Sequence, residues 1–154
     1  MRLTIGFVLA LALSIPAEAV DFRWGSSTTM GTTEAIIANE NGSTLNIYCP
    51  AGQIDKTPGM FVHVDKVRPR AGEKIDVQIV IEGESHAFIL DEIQWEANGR
   101  ARMNNIYSLV KALTNASEPS FIIEFPKFGM SERFSLLDAR KTLGSPGKFL
   151  RDCN

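Results

Sequence analysis

The sequence predicts an α+β domain in which an antiparallel sheet of about six to seven strands is packed by one main helix and a short C-terminal helix, with one disulfide. Three observations support this fold class. Apolar and polar residues alternate with a period of two in several short segments, an Asn-Gly turn joins two of these segments, and one long segment has helical spacing. The sheet is therefore expected to consist of hairpins rather than parallel βαβ units.

The strands are predicted from this alternation and from the turns between them. Asn41-Gly42 is expected to form a tight hairpin turn, because both residue types tolerate positive φ. Residues 22–33 are rich in Gly, Ser and Thr and are interpreted as an extended lead-in, with Trp24 docked on the core. The predicted strands are 34–39, 43–49, 60–67, 74–82, 86–90 with 93–97, 121–125 and 132–136.

One segment changes to helical spacing. Apolar residues recur at Met103, Ile106, Tyr107, Val110 and Leu113, which places them on one face of a helix. The sequence therefore predicts that this helix covers one face of the sheet. Two shorter helical segments are predicted at 137–143 and 148–153.

The first 19 residues are interpreted as a signal peptide. Arg2 gives a short positive end, and the run from Leu3 to Ile15 is mostly apolar. That run is shorter than the roughly 20 apolar residues that cross a bilayer. Small residues stand at positions 17 and 19, where a signal peptidase reads. We expect cleavage before Val20, a single domain over residues 20–154, and a periplasmic or secreted product.

The charge balance excludes several classes of partner. Lys and Arg number 16 against 18 Asp and Glu, a formal net charge of −2. Nucleic-acid binders usually carry a strong basic excess. No run of four Lys and Arg occurs, and no apolar stretch after the leader reaches membrane-spanning length. The expected partner is another protein, and the sequence leaves the oligomeric state open.

Two cysteines, Cys49 and Cys153, remain after the leader. An exported chain meets an oxidising compartment, and the pair is not spaced as a redox-active CxxC. The sequence therefore predicts a structural disulfide between them. No metal site is expected, because the only histidines, His63 and His86, lack ligand spacing around them. No cofactor motif is present either.

Catalytic motifs are absent from the sequence. His63-Val64-Asp65 places an imidazole and a carboxylate on one strand face, but two such groups are a frequent feature of exposed strands. No GxSxG, HExxH or P-loop pattern occurs. We therefore assign no catalytic residue. The alternative, a small hydrolase, requires a pocket in which His63 or His86 meets a buried carboxylate.

Two loops are candidate binding sites. Lys66, Arg68, Arg70 and Lys74 gather four cations in a short segment, which suits an acidic protein surface or a carboxylate-bearing glycan. The alternative is a charged loop that only keeps a sheet edge soluble.

The second loop, residues 125–130, carries Phe128 and Met130. These two side chains either form an exposed anchor for a partner or fold back over the end of the sheet.

The C-terminal third of the chain resembles a group of known proteins. A strand at Phe121–Phe125, a second at Phe134–Leu136, then Ala139, Leu143 and a closing cysteine form the pattern. It resembles small exported proteobacterial domains, including the type VI secretion-associated VasI-type proteins and, more loosely, the invasion-associated locus B family. The resemblance implies an envelope protein that binds or accompanies other proteins, without catalytic activity.

Taken with the composition, this favours a periplasmic protein-binding or accessory factor, associated with secretion or virulence. The alternatives are a lysozyme inhibitor and a toxin immunity protein. For the inhibitor, residues 82–86 form an acidic turn that electrostatic attraction would steer towards a basic lysozyme.

Overall fold

A computed structural model describes residues 22–50, 58–91, 94–95, 100–144 and 148–151. These residues confirm the α+β class, but they form nine strands rather than six or seven. The strands are β1 (Gly25–Thr29), β2 (Thr32–Ala38), β3 (Thr44–Pro50), β4 (Gly59–His63), β5 (Lys74–Ile81), β6 (Glu84–Asp91), β7 (Gln94–Trp95), β8 (Ser120–Phe125) and β9 (Met130–Ser135). The helices are α1 (Arg100–Asn115), α2 (Ala139–Leu143) and α3 (Lys148–Arg151), with a 3-10 turn at Pro126–Phe128.

All strand pairs are antiparallel, in the order β1-β2-β3-β4-β7-β6-β5-β8-β9. The two-residue strand β7 pairs at two positions with β4 and at one with β6. The sheet therefore consists of two four-stranded halves that this short strand joins.

The strand count was underestimated mainly because of β1. Its five residues are Gly, Ser and Thr, and all five are exposed. A strand that buries neither face shows no period-two signal, so residues 22–33 resembled a lead-in. Met30 and Gly31 have φ of 49° and 78°. These values are those of a type I′ hairpin turn, which pairs β1 with β2.

The predicted turns at Gly42 and Gly83 are confirmed. Both glycines have positive φ, 78° and 82°, and each lies in the loop between two strands that pair as a hairpin, but Asn41 of the predicted Asn-Gly turn does not have positive φ. Asn98-Gly99, a second Asn-Gly pair that predicts a tight turn, lies outside the described residues.

The helix α1 covers the inner face of the sheet, as predicted. Ile106, Leu109, Val110 and Leu113 are all at most 2% exposed and belong to the same buried cluster as the inward residues of the strands. Tyr107, predicted on this stripe, is 47% exposed. It lies about 100° around the helix from Ile106, at the margin of the contact, and Leu109 fills the stripe instead.

The two ends of the sheet approach each other. The Trp24 amide donates to the Leu137 carbonyl oxygen at 3.0 Å, and Thr142 Oγ1 donates to the Trp24 carbonyl oxygen at 3.0 Å. Asn39 Nδ2, after β2, donates to Glu132 Oε2 on β9 at 2.8 Å. Trp24 itself is 3% exposed, which confirms that it docks on the core.

Cys49 is buried at the end of β3, with Sγ 3.7 Å from the Phe149 carbonyl oxygen. It is disulfide-bonded rather than a titrating thiol. Its predicted partner, Cys153, lies outside the described residues. The described part of the chain therefore does not contain the complete bond, and the predicted pairing is not confirmed. No described helix is long and apolar enough to cross a membrane.

Candidate binding surface

The predicted basic loop is anchored by two valines. Val64 and Val67 are 4% and 7% exposed, and the Val67 amide donates to the Val64 carbonyl oxygen at 2.9 Å. This turn explains why β4 ends at His63 instead of continuing to residue 67. Asp65 and Lys66 lie exposed at its tip. The buried anchors hold the following residues at the surface.

All four predicted cations are exposed: Lys66, Arg68, Arg70 and Lys74. Arg68 Nε donates to the Asp65 carbonyl oxygen at 3.4 Å. In the register of β5 and β6, Lys74 stands opposite Asp91.

A glutamate connects this loop to the second predicted loop. Glu73 Oε2 accepts the Arg70 amide at 2.7 Å, and Lys127 Nζ donates to Glu73 Oε1. The hydrogen bond from Lys127, then that from the Arg70 amide, lowers the pKa of Glu73 below its ordinary value. The carboxylate therefore stays ionised at neutral pH and holds the loop beside the 3-10 turn.

Lys127 extends the predicted site, because its side chain is 56% exposed. Lys127 lies in the second predicted loop, residues 125–130, which was selected for its apolar residues. No local sequence pattern indicates its partner, because Glu73 is 54 positions away. The basic surface is defined here as the five exposed cations Lys66, Arg68, Arg70, Lys74 and Lys127.

Phe128 and Met130 fold back over the end of the sheet. Both are half-buried and pack against the core cluster. Gly129 between them has φ of 60°, which lets the chain reverse into β9 after the 3-10 turn. Of the two predicted alternatives, the structure therefore shows the fold-back rather than an exposed apolar anchor.

The charges separate along β5. The basic surface lies at its first residue, Lys74, whereas Glu82 and Glu84 follow its last, Ile81. An eight-residue strand is about 23 Å long, well beyond the screening length of about 8 Å at physiological salt. The basic end therefore carries five exposed cations beside exposed Asp65 and Asp76 and half-buried Glu73, a local excess of positive charge on a chain whose formal net charge is −2.

The acidic turn is partly occupied by internal bonds. Glu82 Oε1 accepts the Ser117 hydroxyl at 2.5 Å, the Ser117 amide at 2.6 Å and the Glu118 amide at 3.3 Å. The Ser117 hydrogen bonds lower the pKa of Glu82. The carboxylate thereby fixes the segment after α1, while Glu82 and Glu84 both remain exposed.

The two histidines, His63 and His86, lie in different surroundings. His63 Nε2 lies 2.9 Å from Asp65 Oδ1, with side chains 54% and 75% exposed. His86 is half-buried in a cleft of about 390 Å³ that Ser108, Lys111 and Asn115 also line.

Burial lowers the pKa of His86, and the neighbouring carboxylate, Glu84, is exposed. Neither histidine therefore meets a buried carboxylate among the described residues. No group of three or more potential ligands in the described chain could hold a metal ion.

Fold and surface together define a small α+β domain with one positively charged end. The chain belongs to the YfjT family, whose profile matches residues 22–143 and so extends from just before β1 to the end of α2. Comparison with curated proteins and with solved structures gives no match. The family match does not bear on the resemblance to VasI-type or invasion-associated locus B proteins.

Proposed function

We propose that the protein is a non-catalytic binding factor of the bacterial envelope that docks onto an acidic surface of another protein through its basic surface. The observation that carries this proposal is the Glu73–Lys127 ion pair, because it unites cations from two distant loops at one end of the molecule.

The construction of this end supports a binding role. Buried Val67 and half-buried Pro69 limit the motion of the loop, so less conformational entropy is lost when Arg68 and Arg70 engage a partner. A guanidinium can bind a carboxylate with two parallel hydrogen bonds. Exposed cations separated from the acidic end also steer association with an acidic protein.

The envelope location rests on the leader sequence, which lies outside the described residues. In a bacterium that expresses the gene, the protein should be released by osmotic shock and should begin at Val20. A soluble cytoplasmic product that still begins at Met1 would contradict the proposed location without affecting the binding proposal.

The inhibitor alternative has less support. The inhibitor hypothesis rests on the acidic turn, and Glu82 of that turn is hydrogen-bonded to Ser117 and Glu118. Glu82 and Glu84 are both exposed, but hydrogen bonds already engage Glu82, and exposed ion pairs add little affinity.

The test is capture from a periplasmic extract with matched charge variants. Arg68→Glu with Arg70→Glu reverses two charges of the basic surface. Lys111→Glu with Lys141→Glu makes the same change at exposed positions on α1 and α2. We expect an acidic protein that the wild-type chain and the α1/α2 variant retain, that the basic-surface variant loses, and that salt elutes.

Two results would contradict the proposal. One is equal retention of the same protein by both charge variants. The other is release of all captured material by glycan-degrading treatment, which would make an acidic glycan the ligand instead of a protein.

A further inference from the structure

The strand β1 is an edge without the usual protection. Among the described strands it pairs with β2 alone, and all five of its residues are exposed. Proteins normally protect such edges with charged residues, proline or a bulge, because unpaired backbone groups invite another strand. The sequence of β1, Gly-Ser-Ser-Thr-Thr, contains none of these devices, and its register with β2 is unbroken.

The register shows which backbone groups point outward. The type I′ turn at Met30-Gly31 makes Thr29 and Thr32 a hydrogen-bonded pair. Antiparallel pairs alternate between hydrogen-bonded and non-hydrogen-bonded, so Ser26 and Thr28 are in non-hydrogen-bonded pairs. Their N–H and C=O groups therefore face away from β2.

The same alternation points the Trp24 amide outward, and that amide is already used. It donates to the Leu137 carbonyl oxygen at 3.0 Å. This bond agrees with the alternation of inward and outward backbone groups. It also shows that the chain covers the outer edge of β1 at Trp24, just before the strand begins. Among the described residues, no backbone bond of this kind covers Ser26 or Thr28.

We propose that β1 pairs antiparallel with β1 of a second copy of this chain, across a two-fold axis at Ser27. In this register Ser26 of each copy faces Thr28 of the other. Their outward N–H and C=O groups then form two hydrogen-bonded pairs, and the two Ser27 residues form the non-hydrogen-bonded pair between them. The two sheets become one continuous sheet.

Three features make a second copy the fitting occupant. The strand carries no charge, so self-pairing brings no like charges together. The open edge from Gly25 to Thr29 has the same length in both copies. Beyond it, Met30 of one copy, which is 100% exposed, reaches position 24 of the other, where Leu137 is 43% exposed. The two exposed apolar side chains thus meet at each end of the paired strands.

The interface is small, so we expect a weak dimer with a dissociation constant on the order of 10 µM to 1 mM. Sedimentation velocity over a concentration series should show the sedimentation coefficient rising with concentration. Thr28→Pro removes one outward N–H, a change that an edge strand tolerates. It should raise the dissociation constant at least about tenfold with unchanged melting, whereas Thr28→Val, which keeps the N–H, should not.

Cysteine cross-linking tests the register. The Cα atoms of two Ser27 residues would be about 4.5 Å apart, so Ser27→Cys should form a disulfide-linked dimer under mild oxidation. Two Ser26 residues would lie on the diagonal, about 7 to 8 Å apart, at or beyond the limit for a disulfide. Ser26→Cys should therefore stay largely monomeric, and the wild-type chain serves as the blank for the native cysteines.

Three results would overturn the proposal. These are a wild-type chain that stays monomeric throughout the series, a dimer that Thr28→Pro leaves intact, and cross-linking that is equal at positions 26 and 27. A wild-type chain that stays monomeric would indicate that the edge of β1 pairs with an extended segment of another protein instead.

Discussion

Asn39 and Glu132 are 93 positions apart in sequence, and their side chains meet at 2.8 Å inside the protein. Glu132 is 5% exposed, and its Oε2 also accepts Asn41 Nδ2 at 2.7 Å. Asn39 Oδ1 in turn accepts the amides of Asn41 and Ser43, each at 3.0 Å. One amide side chain therefore shapes the β2–β3 turn and binds that turn to β9.

Replacing Asn39 by Asp should test this connection. The aspartate keeps the acceptor oxygen for the turn but places a second carboxylate beside buried Glu132. We expect a loss of about 2 to 4 kcal/mol in the free energy of unfolding at pH 7, measured by urea denaturation. Part of this loss should be recovered at lower pH, as the pair takes up a proton.

The control for that change is Asn46→Asp. Asn46 Nδ2 approaches Glu34 Oε2 at 3.4 Å, and both residues are only half-buried. Glu34 is partly solvated, and Asn46 Oδ1 has no hydrogen-bond partner to lose among the described residues, so the loss should be smaller by at least about 1 kcal/mol. Equal losses at the two sites would show that burial of Glu132 contributes nothing.

Adjacent residues of α1 should respond differently to the same new charge. Val110 is fully buried and Lys111 is exposed. Val110→Asp should cost several kcal/mol, on the order of 3 to 5, because an unpaired charge enters the core. Lys111→Asp should cost under about 1 kcal/mol. Chemical denaturation of both variants checks this, and similar midpoints would contradict the packing of α1.

Two substitutions of Trp24 compare the effect of lost side-chain volume with the effect of removing a buried hydrogen-bond donor. Its indole stacks on Phe121 at 6.3 Å between ring centroids, and its Nε1 is buried with no partner among the described residues. Trp24→Phe removes that unsatisfied donor along with some volume and should cost under about 2 kcal/mol. Trp24→Ala should cost about 3 to 5 kcal/mol. Thermal melting of the two variants distinguishes them, and equal costs would contradict this account.

The acidic turn should make stability depend on pH. The pKa of Glu82 is lowered in the folded state, so its contribution is present above the unfolded value, near 4.5, and is lost as pH falls through the folded value. Glu82→Gln should therefore lower the melting temperature at pH 7 and have a diminishing effect below about pH 4.

Glu84→Gln, two residues along the same turn, is the control for Glu82. This exposed side chain makes no bond to Ser117, so its substitution should leave the melting curve unchanged at both pH values. A pH dependence that was the same for the two variants would remove the role given to Glu82.

Local patterns predicted the elements that bury one face. The alternation from Ile75 to Ile81 gave β5, and the helical spacing from Ile106 to Leu113 gave most of α1. The exposed strand β1 has no such pattern, and its existence depends on the turn at Met30.

The candidate site was predictable only in part, for a related reason. The four cations of the first loop stand close together in sequence, but Lys127 joins them through a contact with Glu73 that no local pattern encodes. The apolar character of Phe128 was visible, whereas the direction in which it folds depends on Gly129 and the core beneath it.

The bonds that join the ends of the sheet also bear on how fast the protein folds. Trp24 and Leu137, like Asn39 and Glu132, come together only after nearly the whole chain is available. Contacts of such large sequence separation lower the folding rate, and sheets dominated by them fold in milliseconds to seconds. If the chain is exported from its N-terminus, β1 and β2 emerge long before their distant partners. During that interval the bare edge of β1 is exposed to neighbouring chains, so chaperone protection would matter most before β9 arrives.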